Sequence, residues 1–275
     1  MLTDISYAAL AREAALNVYF VAEGDRDGAA RVESCVPANP CCNCYSIAKL
    51  FTVTAVGILY DRGILTPQTR LLDVLPLHAA DKRFEDVTLE HLLTHRAGIG
   101  PSLDIDVEDA SAFPRDYAQY ILDTPLVSEP GTARHYTDSA FYLLARAVRE
   151  ACGNDPAALL RAPLMDVLRF REFAWSVCPL GCCMGATGLY LRTGDMLKLG
   201  LLYLRGGDWF GTRIVSGEWV DLVMSRGYEL SSVGGGWLGK RGMRGQMLAL
   251  HPERGLALAW HGCESRNAAD VFLKR

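Results

Sequence analysis

Three short patterns, Ser-x-x-Lys, Tyr-x-Asp and Lys-x-Gly, follow one another along this 275-residue chain. The first contains Ser46 and Lys49 and leads into the apolar run 51–63, which predicts a buried helix. Residues three apart on a helix share a face, so the amine of Lys49 can reach the hydroxyl of Ser46. A lysine held in an apolar, partly desolvated site can lose its proton near neutral pH and activate a serine. The pattern therefore predicts an acyl-transfer site with Ser46 as nucleophile and Lys49 as base.

The second pattern places Tyr136 and Asp138 between the turn 130–135 and a helical spacing of apolar residues over 140–148. Tyr136 is therefore expected on a loop before a helix, where its phenol can face a cleft. A tyrosine close to a lysine ammonium can move a proton to or from the serine oxygen and the leaving group. A half-buried packing role is the alternative for Tyr136.

The third pattern, Lys240-Arg241-Gly242, precedes the alternating segment 247–252 and a predicted partner strand over 255–260. Gly242 would let the strand backbone come close to a bound acyl group. The next residue, Met243, would then contribute its backbone N–H to an oxyanion hole.

In this register the second oxyanion donor is the backbone N–H of Ser46. Lys240 would offer its cation to a substrate carboxylate, with a solvated basic turn as the alternative. A second register, Met243-Arg244-Gly245 with Gln246 as the donor, remains open.

Six ordered blocks of sequence, including these three patterns, resemble the serine β-lactamase and penicillin-binding-protein superfamily. The likeness is strongest to its class C β-lactamase, esterase and D-aminopeptidase branch, and it covers most of the chain. The other three blocks are residues 87–99, 185–196 and 209–220.

The resemblance implies a role for each matching residue. Ser46 matches the acylated nucleophile, Lys49 its base and Tyr136 the second proton carrier. Lys240 and Gly242 match the third motif beside the oxyanion strand.

Two positions depart from the β-lactamase pattern. Asp138 replaces an asparagine, so a side chain that could donate to a substrate carbonyl becomes an acceptor. A carboxylate there is expected to pair with Lys49, which would favour the charged lysine and weaken it as a base. Arg241 replaces a small hydroxyl residue and is expected to reshape the pocket near a β-lactam carboxylate. Both changes argue against antibiotic hydrolysis while leaving the acylation machinery intact.

The predicted fold class is α+β, a β-lactamase/transpeptidase-like antiparallel sheet flanked by helices with a helical subdomain. Strands predicted over 17–22 and 30–35 should meet those between 236 and 261 in one antiparallel sheet. The resemblance implies that the site lies in a cleft between the two parts. The expected domains are a discontinuous sheet domain, 1–44 and 165–275, and a mainly helical domain, 45–164. Helices are expected at 7–16, 89–94, 110–122, 140–151, 196–204, 218–224 and 268–274.

Composition narrows the class of function. Half of the residues are hydrophobic and the net charge is −4, which fits a compact enzyme and argues against nucleic-acid binding. No run is long enough to span a bilayer, and the N-terminus lacks a basic region before an apolar one, so a cytoplasmic protein is expected.

Metal and cofactor sites are not expected. The nine cysteines lack paired Cys-x-x-Cys knuckles, which favours buried free thiols over zinc. His91 and His95 are four apart on a probable helix but lack the glutamate of a zinc protease, and a structural role is expected for both. His135, beside Tyr136, is expected to be a solvated loop residue, with tuning of Tyr136 or contact with substrate as the alternative.

The leading hypothesis is a serine hydrolase that forms an acyl-enzyme on Ser46 with a small ester, amide or peptide. The alternatives are a true β-lactamase or D-Ala carboxypeptidase-like enzyme, and a non-catalytic penicillin-binding or sensor-like protein. Loops 100–115 and 226–236 are expected to form the pocket walls that select the substrate.

Overall fold

The computed structural model describes Leu2 and residues 4–100, 114–263 and 267–274. The chain forms two compact units. The first comprises Met1–Leu50, Ala162–Ala174 and Gly188–Arg275, and the second comprises Phe51–Arg161 and Trp175–Thr187. We call them the sheet unit and the helical unit. Ser46 and Lys49 thus belong to the sheet unit, whereas the sequence placed them in a helical domain beginning at residue 45; that domain boundary stays a prediction.

The described strands are β1 (Val18–Asp25), β2 (Ala30–Ser34), β3 (Cys41–Asn43), β4 (Phe173–Trp175), β5 (Leu189–Arg192), β6 (Asp208–Trp209), β7 (Thr212–Arg213), β8 (Ser231–Gly234), β9 (Trp237–Arg241), β10 (Met247–His251) and β11 (Leu256–Gly262). The described α-helices are α1 (Tyr7–Glu13), α2 (Ala48–Asp61), α3 (Leu71–Val74), α4 (Leu89–Leu93), α5 (Tyr117–Leu122), α6 (Asp138–Cys152), α7 (Pro156–Leu160), α8 (Thr193–Leu204), α9 (Gly217–Arg226) and α10 (Ala268–Phe272).

The main sheet of the sheet unit has the strand order β2-β1-β11-β10-β9-β8, with each neighbouring pair antiparallel. The prediction that strands from the two ends of the chain meet is confirmed by the pairing of β1 with β11, in which Val21 lies opposite Trp260. Together with the helices, this sheet confirms the predicted α+β class.

The two faces of this sheet pack against different helices. On one face, α8 lies close to β10 because Gly200 has no side chain; a Cβ there would lie 2.6 Å from Leu250 and 2.9 Å from Leu248. On the other face, Trp237, Met247 and Trp260 join residues of α1 and α10 in one apolar core. Burial of these aromatic rings is a main source of the unit's stability.

Most of the predicted elements are confirmed, with shifted ends. The hairpin of β10 and β11 forms with Leu250 opposite Ala257, as the alternating pattern predicted. Strand β8 was missed, since its sequence, Ser-Ser-Val-Gly, is poor in strand-forming residues. The helix predicted over 110–122 is described from Tyr117, and its first residues, like most of loop 100–115, lie outside the described residues.

In the helical unit, α6 is the central buried helix. Residues 139–148 of this helix are buried throughout. The side chain of Thr137 caps its start by accepting a hydrogen bond from the backbone N–H of Ser139, and Gly153 ends it in the left-handed conformation, with φ 75°. The chain just before this helix carries Tyr136.

Candidate active site

Ser46 lies in a short 3-10 turn, Tyr45–Ile47, that leads directly into α2. The turn begins at Tyr45, which has a positive φ of 48°, and the side chain of Asn43 accepts a hydrogen bond from the backbone N–H of Tyr45 at 2.7 Å. The sequence predicted an α-helical turn here. Ser46 and Lys49 are still expected on one side of the chain, because side chains three residues apart are eclipsed in a 3-10 turn.

The amine of Lys49 lies against the hydroxyl of Ser46, with 3.2 Å between Nζ and Oγ. Lys49 has no exposed surface, and its chain neighbours Ala48 and Leu50 are also fully buried, whereas Ser46 is partly exposed. Ser46 is therefore partly open to solvent, while the amine next to its hydroxyl is shielded. This is the arrangement that nucleophilic catalysis by a serine and a lysine requires.

Three buried polar side chains contact one another in series, beginning next to the Ser46 turn. The thiol of Cys44 lies 3.6 Å from Nε2 of His261 on β11, and Nδ1 of the same imidazole lies 2.8 Å from the hydroxyl of Thr193. All three residues are buried. They connect the chain two residues before the nucleophile to β11 and to the first turn of α8.

Complete burial lowers the pKa of His261 to about 4 and raises the pKa of the Cys44 thiol well above its ordinary value. Both groups are therefore neutral at pH 7, and Cys44 is a poor candidate for thiolate chemistry. Sequence reasoning did not single out His261. A signal was available, since its alternation with Ala257 and Ala259 places it on a buried face of a strand.

Gly242 follows the last residue of β9 and packs against the Ser46 turn. A Cβ on Gly242 would lie 2.8 Å from the carbonyl oxygen of Cys44 and 2.5 Å from Oε1 of Gln246, so only glycine permits this approach. Gly242 also donates its N–H to the carbonyl of Gln246 at 2.9 Å. The backbone after β9 is thereby held close to the chain that carries the nucleophile.

The second possible register places Gly245 in the role of Gly242. Gly245 lies in the turn between β9 and β10 with φ 95°, where its carbonyl accepts the indole N–H of Trp260 at 2.8 Å. The close contact between Gly242 and Cys44 favours the Lys240-Arg241-Gly242 register. The backbone N–H of Met243, whose side chain is 65% exposed, remains the proposed oxyanion donor.

Lys240 and Glu229 form an ion pair inside the sheet unit. The two residues are only 8% and 7% exposed. The sequence offered Lys240 as a cation for a substrate carboxylate, but in the structure this ammonium already contacts a carboxylate of the protein. Sequence reasoning missed Glu229, for which the chain gives no motif.

Arg241 lies on the opposite face of β9 from Lys240. Lys240 is opposite Leu248, which faces α8, whereas Arg241 is opposite Met247 in the apolar core with α1 and α10. Arg241 lines a cavity there with Met247, Trp260 and Ala269. The expectation that Arg241 reshapes the pocket near a β-lactam carboxylate stays a prediction.

Tyr136 and Asp138 belong to the helical unit. Tyr136 lies on the loop before α6, as predicted, and is 45% exposed. Its ring stacks on His95, with 4.4 Å between centroids, and the guanidinium of Arg134 lies 5.6 Å from its centre. Asp138 is the first residue of α6, where the helix dipole favours a negative charge.

His95 holds the Tyr136 loop in place. Its Nδ1 accepts a hydrogen bond from the backbone N–H of Thr137 at 3.3 Å, and its carbonyl accepts one from His135 at 2.8 Å. The phenol is thus exposed while its backbone is anchored. His91 has a different structural role, since its Nδ1 accepts from the backbone N–H of Thr88 in the capping box of α4.

The cysteines and the possible metal ligands lie in several parts of the described chain. All nine cysteines are described, each as a free thiol, and Cys44, Cys178, Cys182 and Cys183 are buried. Within residues 4–100, 114–263 and 267–274, no group of three or more His, Cys, Asp or Glu side chains could hold a metal ion. No helix in the described part of the chain has the length and apolar character needed to cross a bilayer.

Comparison with known proteins gives matches at the level of family and fold. The sequence model of the family named Beta-lactamase matches residues 29–262. Penicillin-binding protein 4 of Amycolatopsis lactamdurans is 31% identical over 129 residues, which are 46% of this chain and 34% of that protein. The chain therefore spans about a third of the length of that relative.

Two solved structures superpose on almost the whole chain. A penicillin binding protein from Bacillus halodurans has a TM-score of 0.73 at 17% identity, covering 98% of both chains. A family VIII carboxylesterase has a TM-score of 0.76 at 15% identity, covering 98% of this chain and 95% of its own. At these identities the likeness is one of fold.

Proposed function

The chain belongs to the Beta-lactamase family, and from that premise we propose that it is a serine hydrolase that forms an acyl-enzyme on Ser46. Its substrates are small esters or amides. The observation that carries the proposal is the 3.2 Å contact between the partly exposed hydroxyl of Ser46 and the buried amine of Lys49. A serine next to a shielded amine has a base in place before substrate arrives.

The proposed reaction has two halves. Lys49 takes the proton of Ser46 as Oγ attacks the substrate carbonyl, and the backbone N–H groups of Ser46 and Met243 stabilise the oxyanion. The tetrahedral intermediate collapses to an ester of Ser46, and Tyr136 protonates the leaving alcohol or amine. Lys49 then releases its proton to solvent water and Tyr136 regains one from it. Water then attacks the ester, with the proton passing back to the serine oxygen as the acid product leaves.

The role of Tyr136 as second proton carrier rests on its place in the sequence motif and on its local geometry. The ring is exposed, its backbone is anchored through His95, and the guanidinium of Arg134 lies near it. Replacing Tyr136 by Phe is expected to lower kcat by about 100-fold, within the range for loss of one acid–base group.

A second candidate function is a protein that is acylated once and does not turn over. Asp138 favours it, because a carboxylate at this place of the motif accepts hydrogen bonds where an amide could donate one to a substrate carbonyl. Such a protein would release one equivalent of leaving group and then stop. A serine hydrolase releases many equivalents.

The test is steady-state turnover of p-nitrophenyl acetate and p-nitrophenyl butyrate by the parent and by Ser46→Ala. The parent should release many equivalents of p-nitrophenol, and Ser46→Ala should lose about 10⁴-fold or more in kcat while unfolding at the same temperature. Ser232→Ala, at an exposed serine of β8, is the matched control and should behave as the parent. Equal turnover by the parent and Ser46→Ala would remove the proposal, and a single stoichiometric burst would select the second candidate.

A further inference from the structure

The ion pair of Lys240 and Glu229 has a definite place in the sheet unit. Lys240 is two residues before Gly242, whose backbone packs against the carbonyl of Cys44 next to the Ser46 turn. Its position opposite Leu248 puts it on the face of the sheet that carries α8. His261, which contacts the thiol of Cys44, lies on the same face. The ammonium of Lys240 therefore lies on the face of the sheet that also carries the contacts to the Ser46 turn.

Glu229 is held by the structure around it. Helix α9 ends at Gly227 in the left-handed conformation, and Tyr228 follows, fully buried, with its ring 5.9 Å from that of Trp219. Glu229 itself has a positive φ of 65° and is 7% exposed. A carboxylate in this setting has little freedom to leave its partner, unlike a surface side chain.

From this geometry we infer that Glu229 occupies the position at Lys240 that a substrate carboxylate would otherwise take, and so restricts the enzyme to substrates that are uncharged there. The substrate class is a neutral ester or amide, with no anionic group on the part that reaches Lys240. This inference rests on the proposed function, since it names the substrate of the same site.

The physical reason is competition between two carboxylates for one buried ammonium. A bound anion would lie next to Glu229, and juxtaposed like charges oppose binding. Displacing Glu229 instead would leave its carboxylate buried without the cation, which is strongly unfavourable. A neutral substrate meets neither penalty. Specificity here comes from the negative charge of Glu229, which disfavours anionic ligands.

The test uses a matched pair of esters that differ by one charge: 3-carboxyphenyl phenylacetate and its methyl ester, 3-(methoxycarbonyl)phenyl phenylacetate. The parent should show the higher kcat/KM with the neutral ester. Glu229→Gln keeps the size of the side chain and removes its charge, and should raise the anionic-to-neutral ratio of kcat/KM about tenfold, equivalent to about 1.4 kcal/mol.

Two further variants assign the effect to Lys240. In the double variant Glu229→Gln/Lys240→Gln the ratio should return to the parent value, because the freed cation is gone. Asp221→Asn removes one exposed acid from α9 and should leave the ratio unchanged. An equal rise in Asp221→Asn would mean a general charge effect and would overturn the inference, as would a parent that prefers the anionic ester.

A binding measurement separates this inference from the proposed function. Titration calorimetry of both esters with Ser46→Ala, with and without Glu229→Gln, reads the charge preference without any turnover. If the parent does not hydrolyse the esters, the proposed function is wrong. A tenfold gain in anion binding with Glu229→Gln would still support the role of Glu229. Unchanged anion binding in a folded Glu229→Gln protein contradicts it. If Glu229→Gln does not fold, Glu229→Met, which also removes the charge, supplies the comparison, and unchanged anion binding in that folded protein contradicts the inference.

Discussion

Two buried lysines of the sheet unit, at the start of α2 and on β9, have different partners. Lys49 is fully buried and donates to the hydroxyl of Ser46, whereas Lys240 is 8% exposed and pairs with the carboxylate of Glu229. A carboxylate supplies a countercharge to an ammonium, and a hydroxyl next to an amine supplies a proton that the amine can take. We therefore propose two uses of the same residue type: proton transfer at the start of α2 and charge selection on β9.

The largest expected effect is that of Lys49→Met on turnover. The variant lacks the proposed base, so kcat should fall by about 10³-fold to 10⁴-fold. The free energy of unfolding should change little, because an apolar side chain of similar volume replaces a buried polar one. Steady-state kinetics and chemical denaturation measure the two effects.

Lys274→Met is the control, since Lys274 is exposed near the C-terminus. It should match the parent in both measurements. A Lys49→Met protein with parental kcat would break the comparison, because Lys49 would then not be the base.

Lys240→Met should affect stability. It leaves the carboxylate of Glu229 buried without its cation, which is expected to reduce the free energy of unfolding by about 3–5 kcal/mol. The double variant Glu229→Gln/Lys240→Met removes both charges and should recover most of that loss. Urea denaturation of the three proteins gives the values, and a Lys240→Met protein as stable as the parent would show that the pair is not desolvated in solution.

Protonation of His261 is expected to make the folding stability of the protein depend on pH. Burial lowers its pKa to about 4, below the unfolded value of about 6.5, so the fold prefers the neutral ring. The stabilisation is complete above pH 6.5 and is lost as the pH falls towards 4, by about 3 kcal/mol over that range.

The measurement is urea denaturation of the parent and His261→Gln from pH 7 to pH 4. The stability difference between the two proteins should shrink by about 3 kcal/mol as the pH falls. His78→Gln, at an exposed histidine, should show no such change relative to the parent. A constant difference between the parent and His261→Gln would mean that the ring is not buried in its neutral form.

Gly242→Ala is expected to have the smallest effect. The added Cβ meets the carbonyl oxygen of Cys44 at 2.8 Å, so the end of β9 must move away from the Ser46 turn. We expect kcat/KM to fall about tenfold through loss of oxyanion geometry. The control is Gly217→Ala, where the added Cβ has its nearest neighbour at 4.0 Å and activity should be unchanged. Equal activity of both variants would favour the register with Gly245.

The sequence predicted the elements well where local patterns determine them. Alternating residues with a Pro-to-Gly turn predicted the hairpin of β10 and β11, and the apolar run after Lys49 predicted α2. The 3-10 turn at Ser46 was not predictable, because it depends on the positive φ of Tyr45 and on a hydrogen bond from its N–H to Asn43.

The partners of the site residues were the part that the sequence did not reveal. Glu229 pairs with Lys240 from a left-handed position in the chain after α9, and His261 reaches Cys44 across 217 positions of sequence. Such contacts depend on tertiary packing. The side of β9 on which Arg241 lies was predictable from the two-residue period of a strand once Lys240 was placed on the α8 face.

The most direct test of the central claim, that Ser46 is the residue acylated with the help of Lys49, is intact-protein mass spectrometry after treatment with a fluorophosphonate, followed by peptide mapping. We predict one adduct on the peptide containing Ser46 in the parent, slower formation of the same adduct in Lys49→Met and none in Ser46→Ala. Labelling of Ser46→Ala at the parental rate, or an adduct on any other serine of the parent, would contradict the assignment.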